Sequence, residues 1–140
     1  MFKTIVFATD GSTASEHASD FVASLASCYT AHVLVVSVAT EPPIAMSEPY
    51  YHHSLVAGRQ HAAVCVEDAR KRLRERGVAD VEMAVLEGHP VEAILSVLAQ
   101  RTPELLVIGA RGISPWQGLM LGSVSLALTQ RAKCPVLVIK

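Results

Sequence analysis

Charge is scarce in this chain: Asp, Glu, Lys and Arg make up 18% of its 140 residues, against about 25% in an ordinary soluble domain. Apolar types reach 51%, so more surface than usual has to be buried, and a contact between subunits is one way to bury it. Cysteine is scarce as well. Cys28, Cys65 and Cys134 are odd in number, far apart and without a C-x-x-C pair, which argues against a disulfide framework and reads as buried thiols of a reducing compartment. No run approaches the roughly 18 consecutive apolar residues that cross a bilayer. The opening M-F-K-T-I-V-F-A-T-D has too short an apolar run for a signal peptide, so the cytoplasm is the expected location and no membrane is an expected partner. Net charge is −1, and the one basic cluster, Arg70 to Arg76, lies beside Glu67, Asp68 and Glu75. That argues against nucleic acid as the main partner. His52, His53 and His61 follow neither H-E-x-x-H nor a His/Cys ligand spacing, so no dedicated metal site is expected and the three are assigned to a flexible loop rim.

What the chain does have is a regular alternation of strand and helix patterns, the mark of a doubly wound α/β domain. Its length suits one domain with a core that needs no staple. Lys3 to Thr9 reads as the first strand and Asp10-Gly11-Ser12 as a turn. Thr13, with Glu16 three residues on, predicts a capping box for a helix running to Tyr29, whose apolar face is Ala14, His17, Ala18, Phe21, Val22, Leu25 and Cys28. Val33 to Val38 is the second strand. An irregular stretch from Ala39 to Ser54, with three prolines and Tyr50-Tyr51-His52-His53, is long enough to be functional or mobile. A second helix is predicted from Leu55 to Arg76, closed by Gly77, with a solvated face of Glu67, Arg70, Lys71, Arg74 and Glu75. Val81 to Leu86, a helix opened by Pro90, Leu105 to Ile108, a helix from Ser123 to Lys133 and Pro135 to Lys140 complete five strands and four helices.

The densest signal is G-A-R-G-I-S-P-W-Q-G-L-M-L-G-S, from Gly109 to Ser123. It follows a short continuous apolar run of the kind buried on both faces of a parallel sheet, and it opens a helix. Glycines there let a backbone approach a ligand, and the free N–H groups of the next helix form an anion site. No lysine follows Gly122, which excludes a Walker-type lysine on the phosphates. The spacing is not the G-x-G-x-x-G of a dinucleotide fingerprint either.

The pattern G-x₂-G-x₉-G-S, met by Gly109, Gly112, Gly122 and Ser123, resembles the nucleotide-binding signature of the universal stress protein family. The opening T-I-V-F-A-T-D-G-S, the L-G-S-V-S after the glycines and the closing C-P-V-L-V-I-K are similar to the same family, so the resemblance spans nearly the whole chain. It implies a single α/β domain of the adenine nucleotide alpha hydrolase type, with a five-stranded parallel sheet in the order 3-2-1-4-5 and a site at the carboxyl ends of strands 1 and 4. By position, the resemblance implies that Asp10 contacts the ribose or a nucleotide-bound Mg²⁺ and that the main chain of Val38 recognises adenine. Gly109 and Gly112 then pass under ribose and phosphates, with Arg111 the one cation of the loop. Gly122, Ser123, Val124 and Ser125 donate to phosphate oxygens. ATP is the implied ligand, with AMP, ADP or another nucleotide left open, since Ile113 to Gln117 brings no charge for a triphosphate. Trp116 covers the site, packs under the loop or lies at a subunit contact. The implied protein is a stress-response regulator that senses nucleotide and meets a twofold mate through Pro135 to Ile139. The alternatives are a slow ATPase or nucleotide hydrolase and a ligand-free chaperone-like dimer. No catalytic residue is assigned.

Overall fold

The computed structural model describes residues 1–111 and 121–140. Five strands and four helices alternate: β1 (Thr4–Ala8), α1 (Thr13–Tyr29), β2 (His32–Ala39), α2 (Tyr50–Glu75), β3 (Val81–Glu87), α3 (Pro90–Arg101), β4 (Leu105–Gly109), α4 (Ser123–Arg131) and β5 (Val136–Ile139). All pairings are parallel and the order is β3-β2-β1-β4-β5. The order anticipated from the resemblance is therefore the order found.

The period-2 alternation of a strand sends its residues to two separate cores. Ile5, Phe7, Val33, Val35 and Val107 pack with α1 and α2, whereas Val6, Leu34, Val36, Leu106 and Ile108 pack with α3 and α4. Because β1 and β4 are covered on both faces, they carry the continuous apolar runs the sequence shows. At the β3 edge the pattern relaxes to a strict alternation of more and less exposed residues.

Three expectations need correction. The cap of α1 is Ser12, which accepts from the Ser15 amide, so Thr13 is already helical and the Thr13/Glu16 capping box does not form. The buried face of α1 is Ser15, Ala18, Ser19, Val22, Ala23 and Ala26, while Phe21 and Cys28 are exposed. Small residues face the sheet because they let the helix lie close, a preference that a search for large apolar side chains at helical spacing ranks last. Cys28 is thus not a buried thiol, although Cys65 is. Lastly, α2 begins at Tyr50, so the irregular stretch is shorter than the sequence suggested, and His52 and His53 join His61 on the helix instead of forming a loop rim.

Polar ties close the seams between elements. Arg72 pairs with Glu16 and Arg76 with Asp20 between α2 and α1, and Arg131 holds Glu92 with two hydrogen bonds between α4 and α3. Such exposed pairs contribute little, because water screens the charges and holding two long side chains costs entropy. Burial at about 0.8 kcal/mol per CH₂ over Ala18, Val22, Ala23 and Ala26 outweighs them in docking α1.

Glu104, just before β4, accepts the Thr4 amide at 2.7 Å and returns its own amide to the Thr4 carbonyl. The Thr4 amide, donating to the carboxylate, holds the Glu104 carboxyl below its ordinary value. A depressed carboxyl stabilises the fold above its unfolded pKa, near 4.3, and the contribution disappears as pH falls through the folded value. Glu104→Gln is expected to lower the melting temperature at pH 7 and to flatten its fall below about pH 4.3. Parallel acid-melting profiles for the two proteins would contradict this assignment.

Candidate functional site

In a doubly wound sheet the crevice opens where strand order reverses, at the carboxyl ends of the strands. Here that place is between β1 and β4, because α1 carries the chain to β2 on one side and α4 carries it to β5 on the other. Four short segments converge there: Thr9 to Ser12 leaving β1, the first turn of α1, Gly109 to Arg111 leaving β4, and the first turn of α4.

The first segment is internally braced. Asp10 Oδ1 accepts from the Ser12 amide at 2.9 Å and from Ser15 Oγ at 3.2 Å, and Thr9 Oγ1 donates to Ser15 Oγ. One carboxylate oxygen thereby holds the start of α1, where a negative charge also suits the helix dipole. Among the described residues, the other oxygen, Oδ2, has no hydrogen-bond partner. Ser12 Oγ reaches across the crevice to the Arg111 carbonyl at 3.2 Å.

The Gly109 to Arg111 segment is fixed to α4 by Ser125. Its hydroxyl is buried and lies within hydrogen-bond distance of the Gly109 carbonyl, 2.9 Å, and the Ala110 carbonyl, 3.0 Å. The proton expected to go to a phosphate is therefore already used inside the protein, and only the Ser125 amide is left to face a ligand. Ala110 donates to Ile139 and Gly122 donates to Ala110 at 2.8 Å, so the segments on either side of the loop are tied together. At the head of α4, Gly122 is the N-cap and provides no side-chain hydrogen bond. The amides of Ser123, Val124 and Ser125 precede the first intrahelical donor, Leu126, which bonds Gly122. They are the free N–H groups that an anion at a helix start requires.

Gly109 has a physical requirement of its own. A Cβ there would stand 2.9 Å from the Ser15 amide nitrogen and 3.1 Å from Ala14 Cβ, so α1 could not lie where it does. The sequence reading gave this glycine to a ligand; the packing of α1 on β4 demands it regardless.

Val38 is half-buried, its side chain with the α3 and α4 core. Its main chain is more informative. In a parallel ladder alternate residues serve alternate neighbours; Val36 accepts from Thr9 on the β1 side and Ala39 accepts from Gly88 on the β3 side. Val38 therefore turns its N–H and C=O toward β1, whose pairing with β2 ended at Ala8 and Val36. Those two groups face the crevice beside Asp10. Gly112, Gly118 and Trp116 lie outside the described residues.

Sequence reasoning missed two contributors from α2. His61 Nε2 is 3.3 Å from the Asp10 carbonyl, and the Cys65 sulfur lies 3.5 Å from the same nitrogen. Their i,i+4 spacing was visible, but which face of α2 met β1 was not. Among the described residues no three His, Cys, Asp or Glu side chains group to hold a metal ion, and no helix is long and apolar enough to cross a membrane. A cavity of about 570 Å³, lined by Leu95, Leu98, Pro103 and Cys134 among others, lies at the opposite end of the sheet, before β4 and β5.

Comparison with known proteins agrees with the architecture. The model of the universal stress protein family matches residues 1–140. A universal stress protein of Thermus aquaticus is 32% identical over 140 residues, covering 100% of both chains. Among solved structures, UspA of Lactobacillus plantarum superposes with a TM-score of 0.90 at 20% identity, covering 99% of this chain and 98% of that one. A universal stress protein in complex with cAMP has a TM-score of 0.75 at 26% identity, covering 99% and 97%.

Gly109→Ala is expected to destabilise the protein by about 1–3 kcal/mol with no nucleotide present, the usual cost of overpacking. Urea unfolding measures it, and unchanged stability would mean that the α1–β4 contact is not tight.

Proposed function

The chain belongs to the universal stress protein family, and from that premise we propose that it is a regulatory protein that binds an adenine nucleotide, ATP, at the β1–β4 crevice and acts as a dimer. The observation that carries the proposal is the convergence at one gap of three complementary surfaces. The uncapped start of α4 offers amides to phosphate, the main chain of Val38 offers a donor and an acceptor to a base, and Asp10 offers Oδ2 to a ribose hydroxyl or to Mg²⁺ accompanying the nucleotide. Gly109 presents no side chain between them. A family member 26% identical to this chain is known in complex with cAMP, which supports the ligand class.

In this reading Ser123, Val124 and Ser125 contribute backbone N–H groups to the phosphates, with Ser123 Oγ, exposed at the helix start, as a further donor, while Gly122, whose own N–H is held by the Ala110 carbonyl, keeps that helix start free of a side chain. Ser125 Oγ keeps β4 and α4 in register. Arg111 and Gly112 extend the cradle on the loop. Asp10 spends one oxygen on the start of α1, a role that orients a ligand better than it moves a proton. That favours sensing over hydrolysis. Binding energy at the loop has an effect on a partner only if the nucleotide prefers one of two conformations.

Dimerisation is assigned to β5, which among the described residues pairs with β4 alone and leaves Val136, Leu137 and Val138 half-exposed on a sheet edge. Such an edge is normally paired or covered, and the low charge content points the same way. Light scattering after size exclusion is expected to give twice the 15.0 kDa chain mass; a monomer at micromolar concentration contradicts the β5 assignment.

Calorimetry with ATP, AMP and cAMP, with and without Mg²⁺, is expected to show a Kd below about 1 mM for at least ATP. Gly122→Val, which puts a branched side chain at the phosphate end, is expected to abolish binding with the melting temperature retained. Undiminished affinity in that variant would place the site elsewhere.

A further inference from the structure

The turn from β1 into α1 is held from a third element. His61 stands exposed on α2, with Nε2 3.3 Å from the Asp10 carbonyl. A carbonyl oxygen only accepts, so the ring presents Nε2–H at that contact. One helical turn on, the buried Cys65 sulfur lies 3.5 Å from the same nitrogen and would stand 3.0 Å from a Cβ on Gly11. Gly11 has φ of 77°, a left-handed conformation that glycine adopts without cost. Backbone geometry, the missing side chain and the sulfur filling its place are thus mutually matched. Burial, reinforced by the charge of Asp10, pushes the Cys65 thiol up, so it packs as a neutral group.

The braces within the turn act differently. Ser12 and Ser15 fix the Asp10 carboxylate relative to α1, and the Arg72–Glu16 and Arg76–Asp20 pairs fix the body of α1 relative to α2. Among the described residues, His61 is the side chain of α2 that holds the Asp10 peptide itself. We propose that His61 is a positioning residue of the nucleotide site: its hydrogen bond to the Asp10 carbonyl, made above the Cys65–Gly11 contact, sets the orientation in which Asp10 Oδ2 and the first amides of α1 meet the ligand. This rests on the nucleotide-binding reading of the crevice. It makes α2 a part of the site, although α2 supplies no phosphate donor.

The test uses wild type, His61→Ala and His61→Gln, the last placing an amide N–H where Nε2–H stands. In NMR spectra of the nucleotide-free proteins, the Gly11 and Ser12 amide resonances shift in His61→Ala and return to their wild-type positions in His61→Gln. Titrated with ATP, His61→Ala binds about fivefold more weakly and His61→Gln within about twofold of wild type, the scale of one partly exposed hydrogen bond. Melting temperatures stay the same, because the side chain is exposed. Unmoved amides together with wild-type ATP affinity in His61→Ala overturn this proposal alone, as does failure of glutamine to restore both. If the wild-type protein itself binds no ATP, the nucleotide reading falls and the proposal falls with it.

Discussion

The contact of α1 with β4 at Gly109 is the constraint on which the other features of the crevice depend. A Cβ at that residue would stand 2.9 Å from backbone, so the helix start sits against the strand end with no side chain between them. That approach brings Ser12 within 3.2 Å of the Arg111 carbonyl and sets the Asp10 turn beside the end of β4. The small buried face of α1, with Ser15, Ala18, Ser19, Ala23 and Ala26, is the same constraint expressed along the helix. A larger residue at any of these positions would lift α1 and widen the crevice.

Seen from β4, the counterpart is Ser125. Its buried hydroxyl bridges to two successive carbonyls at the strand end, so α4 is fixed in direction and height relative to the sheet. The two helix starts are therefore held by hydrogen bonds of 2.9–3.2 Å to backbone carbonyls at the end of β4 and just beyond it, and the charged ties at the periphery, screened by water, are secondary. An arrangement set by backbone proximity and hydroxyls, with few charges, suits a low-charge chain. It also suits recognition through amides and main chain, which needs fixed geometry more than strong fields.

Much of this was legible in the amino-acid sequence. The alternation of apolar runs and helical patterns placed all nine elements, because strands buried on both faces carry unmistakable continuous runs. The Gly109 to Ser123 pattern and the Asp10 turn identified both sides of the crevice. What failed did so for identifiable reasons. The face of α1 was read a step out of register because large residues such as Phe21 were assumed to point inward, when closeness to the sheet selects alanine and serine. The Ser125 hydroxyl was expected on a phosphate, but it bonds the Gly109 and Ala110 carbonyls instead, because a hydroxyl near a helix start has two good uses and sequence does not tell which neighbour it reaches. His52 and His53 were assigned to a loop because Pro49 and the paired tyrosines before them resemble irregular chain, whereas His61 lay within the predicted helix and its contact with Asp10 is a tertiary fact with no local signature.

The central claim is that the starts of α1 and α4, joined across Gly109, form one nucleotide site. Amide hydrogen exchange followed by mass spectrometry, with and without ATP and Mg²⁺, addresses it directly. The account predicts slowed exchange in two separate stretches, 10–15 and 122–126, together, with the amides around Val38 following them. Protection confined to one of the two stretches, or appearing instead around the cavity between α3 and α4, would contradict it.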